Sequence, residues 1–277
     1  MNKIYILHHQ GLGDYISCNG ILRFLLESGK YKKIILFTIE KHYQNVEFMY
    51  RDEKRIELYK FKNLSELNKT IEKLKLDKES LVKIGFEKFK ETISTKFDNK
   101  EYTTDMVFYA QLDIPYENRF LKTKWTRDFI EEKKLIKELD IQNKPYIFIH
   151  DDETRDLIIS KKDTNINNRV KVIKNDTKKL IFYYGTLLEN AQEIHVMESS
   201  FRHIIESLDT KKTKLYLHSF RGNLSSGPFI SKTKNNVVGS NKIWEIIKKN
   251  ENKKNLSIKK IYLIIKKIFI KKFFNKS

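Results

Sequence analysis

The chain is 277 residues long and carries 55 lysines and arginines against 36 aspartates and glutamates, a formal net charge of +19, with 40% hydrophobic and 12% aromatic residues. That size and apolar content can fill one large or two small globular cores. A single cysteine, Cys18, excludes a disulfide framework and any multi-cysteine metal site, and the apolar run ahead of His8 is too short for a signal peptide or a spanning helix, so the chain reads as cytosolic.

The first element is the run "KIYIL", β-branched and aromatic as in a buried strand, and it leads into "HHQGLGDYISCN". Ile16, Ile21, Leu22, Leu25 and Leu26 then recur at helical spacing, so the unit is strand, glycine loop, helix. Gly11 and Gly13 let the backbone turn tightly and approach a ligand, with His9 and Gln10 beside them, and the free N–H groups that open a helix favour negative charge. Neither familiar phosphate loop fits, because Ile16 occupies the third small-residue position of G-x-G-x-x-G and no Walker loop is present. Asp14 falls near the first helical turn, where two roles stay open: a cap worth roughly 1 kcal/mol, or a carboxylate presented to a substrate.

Further on, "KKIILFTI", "RIELYKF" and "SLVKIGF" read as strands, with "KHYQNVEFMYRD" and "LSELNKTIEKLKL" as the helices between them. Residues 86–101 are polar and lysine-rich, and no element is predicted there. "TTDMVFYAQLDIP" and "TKWTRDFIEEKKLIKEL" read as helices, after which Pro145 and the run "PYIFIH" restart the alternation and place a boundary near residue 140. In the second half "RVKVIK", "EIHVM" and "KLYLH" read as strands, "KLIFYYGTLLENA" as a helix, and "FRHIIESL" as a helix capped by Ser199 or Ser200. Alternation of this kind predicts parallel sheets, whose ligands bind beyond the carboxyl ends of the strands. Polar groups collect at those ends: His150 and Arg155 after one strand, Ser199, Ser200 and His203 after the next, and Arg221 after the last. His195 lies inside a strand and reads as packed, while His150, Asp151 and Asp152 lack the paired-histidine spacing of a metal site.

The positive charge is uneven. From Lys248 to the end, eleven lysines face one acid, Glu251, which is +10, and the remaining 247 residues carry +9. No zinc finger, RRM aromatic motif or helix-turn-helix signature accompanies the charge, so no nucleic-acid partner is expected. The tail "LSIKKIYLIIKKIFIKKFFNKS" instead sets Lys259, Lys260, Lys266 and Lys267 on one side of a helical wheel and Ile261, Ile265, Ile268 and Phe269 on another. A basic amphipathic helix of this kind, over residues 256–274, lies in the headgroup plane of an anionic membrane surface.

Two stretches resemble a known family. "HHQGLGDYISCNGILRFL" is similar to the opening of bacterial GT-B glycosyltransferases of the heptosyltransferase group (glycosyltransferase family 9-like), and "AQEIHVMESSFRHIIESL" to their C-terminal element, in which a small-residue step follows a strand and a histidine lies a few residues into the helix. A looser likeness runs through "NVEFMYRDEKRIEL", "YIFIHDDETR" and "LYLHSFRG" to small polysaccharide-biosynthesis transferases, over roughly residues 1–245. Glu198 stands where the group commonly has aspartate, and Ser200 where it has glycine.

The resemblance implies an α/β protein of two Rossmann-like domains facing a cleft, an acceptor-side domain over 1–140 and a nucleotide-sugar-binding domain over 141–250, followed by the basic amphipathic tail, 251–277. It implies transfer of a sugar from a nucleotide-diphosphate sugar to a hydroxyl of a glycan or lipid-linked acceptor, with inversion and without a metal or other cofactor, and the basic tail adds a place at the inner face of the membrane. By position Asp14 matches the family's base; Arg155, Ser199, Ser200, His203, His150 and Arg221 fall to the donor, and His9, Gln10, Gly11 and Gly13 to the acceptor side. A GT-B-fold epimerase or hydrolase, or an inactive nucleotide-sugar-binding scaffold, is the alternative.

Overall fold

A computed structural model of the chain describes residues 3–98, 100–160, 164, 170–220 and 236–248; Arg221 and the basic tail over 251–277 lie outside the described residues. The first sheet has the order β3-β2-β1-β4 and is wholly parallel, built from β1 (Lys3–Leu7), β2 (Lys33–Ile39), β3 (Ile56–Phe61) and β4 (Leu81–Lys83). The second has the order β6-β5-β7-β8-β9 and is also parallel, built from β5 (Tyr146–His150), β6 (Lys171–Lys174), β7 (Glu193–Val196), β8 (Lys214–His218) and β9 (Glu245–Ile247). Runs such as Ile34–Thr38, buried without interruption, fit strands covered on both faces rather than alternating in and out.

Helices α1 (Leu12–Glu27), α2 (Tyr43–Tyr50) and α3 (Leu64–Lys73) serve the first sheet. Between the sheets lie α4 (Phe89–Lys96), α5 (Thr104–Gln111), α6 (Asn118–Leu121) and α7 (Phe129–Glu138), and the second sheet carries α8 (Gly185–Asn190) and α9 (Ser200–Ile205). Where the sequence predicts nothing over 86–101, α4 forms; its apolar residues are few, and what orders it is packing against α5. The strand β9 is likewise unforeseen, a short edge that pairs with β8. The single helix expected over "KLIFYYGTLLENA" divides into a 3₁₀ turn, Ile181–Tyr184, and α8. It divides at Gly185, where a Cβ would come within 2.6 Å of the Arg127 guanidinium. The helix α7 starts later than the periodicity predicts because Asp128 caps it, accepting from Glu131 N at 3.2 Å.

The centre of the packing is α1. Its residues from Tyr15 to Arg23 are all buried, as expected for a helix enclosed on every side rather than amphipathic, and it meets α5, α6 and α9. One apolar cluster runs from Ile4, Ile6 and Ile16 through Phe108 to Phe148, Ile194 and Phe201, so both sheets share it, and the chain up to Ile247 packs as one unit. Gly20 lets α1 approach the α6 region, since a Cβ there would press on the Asn118 carbonyl and lie 2.5 Å from the Tyr109 hydroxyl. Helix propensity alone favours Ala over Gly by about 1 kcal/mol, whereas overpacking against a backbone carbonyl costs about 1–3 kcal/mol. Gly20→Ala is therefore expected to lower the melting temperature by a few degrees, and a thermal melt showing an unchanged or higher midpoint would refute the close packing of α1 on Asn118.

Candidate active site

The loop between β1 and α1 is held by its own side chains. His8 is fully buried, with its Nδ1–H donating to the His9 carbonyl at 2.6 Å and its Nε2 without a partner among the described residues. Gln10 spans the carboxyl ends of two strands: its amide nitrogen donates to the His8 carbonyl at 2.6 Å, and its oxygen accepts from Ile39 N at 3.1 Å and from the Tyr15 hydroxyl. His9 is half-buried against Phe86 and Phe108, and its Nε2 bonds the Gly85 carbonyl at 2.8 Å. Of these residues, His9 and Gln10 are thus engaged in shaping the loop.

Asp14 occupies the third position of α1, and its Oδ2 accepts from Gly11 N, at the N-cap, at 3.2 Å. The carboxylate therefore does cap the helix, from inside its first turn. Burial raises its pKa above the ordinary aspartate value, an effect that His9 and the hydrogen bond from Gly11 N oppose. It is half-buried, so a substrate can still reach it.

The two glycines are explained by close approach rather than by a left-handed backbone. Gly11 has a φ of −77°, and a Cβ there would lie 2.7 Å from Asp14 Oδ2. A Cβ on Gly13 would lie 2.9 Å from the His203 ring and 3.7 Å from Ser200 N. The openings of α1 and α9 thus abut at Gly13.

His203 is the hub of this contact. Its Nδ1 is 2.9 Å from Ser17 Oγ and 3.3 Å from an Arg119 terminal nitrogen, and its Nε2 is 3.3 Å from Glu198 Oε1. Arginine can only donate, so a hydrogen bond from Arg119 to Nδ1 requires the ring proton on Nε2, facing Glu198. Serine, histidine and carboxylate in this order have the connectivity of a hydrolase triad, but Ser17 is only 1% exposed and no substrate carbonyl can reach it. Around the ring, Glu198 pairs with Arg202 at 2.6 Å, Arg202 with Glu206 at 2.9 Å, and Arg119 with Asp105 at 3.7 Å. Burial opposes ionisation of Glu198 and Asp105, yet Arg202 and the hydrogen bond from His203 at the first, and Arg202, Arg119 and the Thr103 hydroxyl at the second, hold both carboxyls below their ordinary range.

The remaining predicted residues fall into three groups. Ser199 is the N-cap of α9 without a capping side-chain bond, and its Oγ has no partner among the described residues; Ser200 opens the helix next to Gly13. His150 ends β5, bonds Asn175 Oδ1 at 2.7 Å through Nδ1 and packs on Phe201 of α9. Arg155 stands exposed, paired with Asp152 at 2.8 Å, while Asp151 accepts from Ile159 N at 2.8 Å and pairs with Lys174. Arg221 falls outside the described residues. Among the described residues no three histidine, cysteine or acidic side chains converge as metal ligands. His195 is packed, its ring stacked on Tyr216 at 4.4 Å. Arg119, Asp105 and Ser17 went unread in the sequence; nothing local to "YENRFLK" marks Arg119, which becomes informative only when the fold buries it. Two surface depressions, of about 580 and 470 Å³, flank α2, the first between α2, α7 and residues 178–183 and the second between α2, the carboxyl ends of β2 and β3 and residues 177–180; neither is lined by Asp14.

The sequence matches no protein-family profile and no curated protein. Solved structures do resemble the fold. The glycosyl transferase family 9 protein from Veillonella parvula superposes at a TM-score of 0.52 with 10% identity, covering 95% of this chain and 90% of that one. E. coli heptosyltransferase WaaC with ADP gives 0.43 at 9% identity over 96% of this chain and 99% of its own. E. coli ADP-heptose lps heptosyltransferase II gives 0.39 at 8% over 98% and 99%. The fold is therefore α/β with parallel sheets, similar to that of the GT-B glycosyltransferases. The structures it resembles belong to the group that the two sequence motifs pointed to.

A pH dependence follows from His8. Burial pushes its imidazole down to about 4 from the ordinary 6.5, because a proton on the buried Nε2 finds no acceptor. A group whose pKa is lower folded than unfolded binds more protons when unfolded, so it stabilises the fold fully above pH 6.5 and progressively less as pH falls toward 4. The loss amounts to about 3 kcal/mol. His42, also pushed down to about 4, adds to the same slope. His8→Asn retains a donor for the His9 carbonyl and is expected to flatten the fall in melting temperature between pH 6.5 and 4; an equally steep fall in the variant would show that His8 is not the group titrating.

Proposed function

We propose that this chain is a glycosyltransferase that moves a sugar from a nucleotide-diphosphate sugar to a hydroxyl of a glycan or lipid-linked acceptor. The observation that carries the reading is Asp14: a half-buried carboxylate of raised pKa at the opening of α1, set where α1 meets the opening of α9. The fold likeness to a glycosyl transferase over 95% of the chain supports it.

In this reading the acceptor hydroxyl oxygen attacks the anomeric carbon and its proton passes to the Asp14 carboxylate. The bond from that carbon to the diphosphate oxygen breaks on the opposite face, so the configuration inverts. A carboxylate of raised pKa holds the abstracted proton better than an ordinary aspartate does. The diphosphate leaves as an anion, and the N–H groups opening α9 are the donors offered to it, so the reading calls for no metal ion. Arg155, exposed at the end of the β5 loop, and Arg221 are the proposed additional cations for the donor. The two sheets stand for the acceptor and donor sides, with the cleft at their carboxyl ends.

Asp14→Asn keeps an oxygen that accepts from Gly11 N, so the melting temperature and nucleotide affinity are expected to hold while single-turnover transfer falls by roughly 10²–10⁴. The donor is found by thermal shift against ADP, GDP, UDP, CDP and their sugars, since a ligand at a hundred times its Kd stabilises by about 2.7 kcal/mol. An Asp14→Asn protein that transfers sugar at the original rate would end the assignment of the base.

We also propose that the basic tail holds the enzyme at an anionic inner membrane face. No helix among the described residues is long and apolar enough to cross a membrane. Removing residues 251–277 is expected to abolish binding to phosphatidylglycerol vesicles while nucleotide affinity stays; undiminished vesicle binding by the shortened chain would place the anchor elsewhere.

A further inference from the structure

Arg119 is 1% exposed and sits on α6, a four-residue helix between the two sheets. A buried guanidinium that served only charge balance would turn its fork onto a carboxylate, as Arg23 does onto both oxygens of Asp52 at 3.2 and 2.9 Å. Arg119 does not. Its nearest approach to Asp105 is a single 3.7 Å contact from Nε, which makes no hydrogen bond. One terminal nitrogen, NH2, instead reaches a residue 84 positions away twice, lying 3.3 Å from the His203 Nδ1 and 3.4 Å from the His203 carbonyl. It therefore grips the side chain and the backbone of the first turns of α9 together.

We propose that Arg119 is a positioning residue for transfer: by donating to His203 Nδ1 it holds the imidazole as the Nε2–H tautomer beside Gly13, and so keeps the opening of α9 in register with Asp14. The inference rests on the reading of Asp14 as the base. The charged and polar groups facing the ring are Asp14 and Ser17 on α1, Asp105 on α5, Arg119 on α6, and Glu198 and Arg202 beside it. With a donor fixed at Nδ1, Ser17 must also donate there, and the one ring proton points to Glu198. Without that donor, Nδ1 can carry the proton and give it to Ser17 Oγ, and the ring is no longer fixed beside Gly13, where a Cβ would lie 2.9 Å from it. Register between two reacting groups matters more to turnover than to binding, because a misplacement of about 1 Å costs up to roughly a hundredfold in rate.

The test is Arg119→Lys in the full chain. Lysine keeps the charge beside Asp105 but has one ammonium in place of a fork, so the fold should survive while the double grip is lost. Two-bond ¹H–¹⁵N spectra of the ¹⁵N-histidine-labelled protein read the tautomer directly, without any activity. The expected result is Nε2–H at His203 in the native chain and a mixture with Nδ1–H in the variant. The nucleoside diphosphate found by thermal shift should bind with nearly unchanged affinity, and kcat should fall between about tenfold and a hundredfold with little change in KM. If Arg119→Lys does not fold, Arg119→Met with Asp105→Asn removes both buried charges and carries the same measurements. An Nδ1–H tautomer in the native chain, an unchanged tautomer in the variant, or full turnover despite a changed tautomer would each overturn the proposal. Absence of any sugar transfer by the native chain would instead remove the reading of Asp14 and leave the tautomer result standing.

Discussion

A buried cluster of charge between α1 and α9 is the constraint on which the rest of this structure depends. Asp105, Arg119, Glu198, Arg202 and Glu206 are each less than a tenth exposed, and His203 stands among them. Groups of this kind are expensive to take out of water and tolerable only when every charge finds a partner. The partners come from both halves of the chain: Asp105 and Arg119 from the segment between the sheets, the others from the second sheet's helix and the strand before it. The ion pairs close within each segment, and Arg119 on His203 joins the two. The polar network reaches further to Trp244 and Ser240, which bond Glu206 at 3.3 and 2.7 Å, so even the last strand is tied to it.

This constraint explains why a glycine stands at 13. Ser17, Glu198 and Arg119 pin the His203 ring, and a methyl group at position 13 would require the ring to move. It also shapes Asp14. The carboxylate sits on the α1 opening, where N–H groups favour its charge, yet burial beside the docked helix raises its pKa. Capping and chemistry are therefore not rival accounts of one aspartate. A carboxylate held by its cap is the better positioned group, and one raised by burial is the better acceptor of a proton.

A second junction shares the load away from the site. Arg127 pairs with Glu132 at 2.5 Å within its own segment and with Glu189 at 3.0 Å across to α8, and Thr186 N bonds Glu132 at 2.7 Å. Nearby, Phe48 on α2 stacks on Phe182 with centroids 5.5 Å apart. One junction is ionic and buried, the other half ionic and half aromatic, and both flank the apolar cluster that the two sheets share.

The amino-acid sequence by itself determined the class of fold, because the signals concerned are local and periodic. Uninterrupted apolar runs of four residues, as in β1, β2 and β5, mark strands buried on both faces, and the turnover to helical spacing after "HHQGLGD" marks the unit that carries Asp14. The two motifs that resemble the heptosyltransferase group were legible for the same reason. The sequence could not show α4 or β9, whose few apolar residues are ordered by neighbours distant in the chain. It could not show that Gly13 answers to His203, 190 positions later, rather than to a turn of its own backbone. Nor could it separate Arg119 from the other basic residues among 55, since only the fold distinguishes a buried guanidinium from a solvated one. Periodicity is a property of neighbours in sequence; burial and close approach are properties of neighbours in space, and only the tertiary structure decides those.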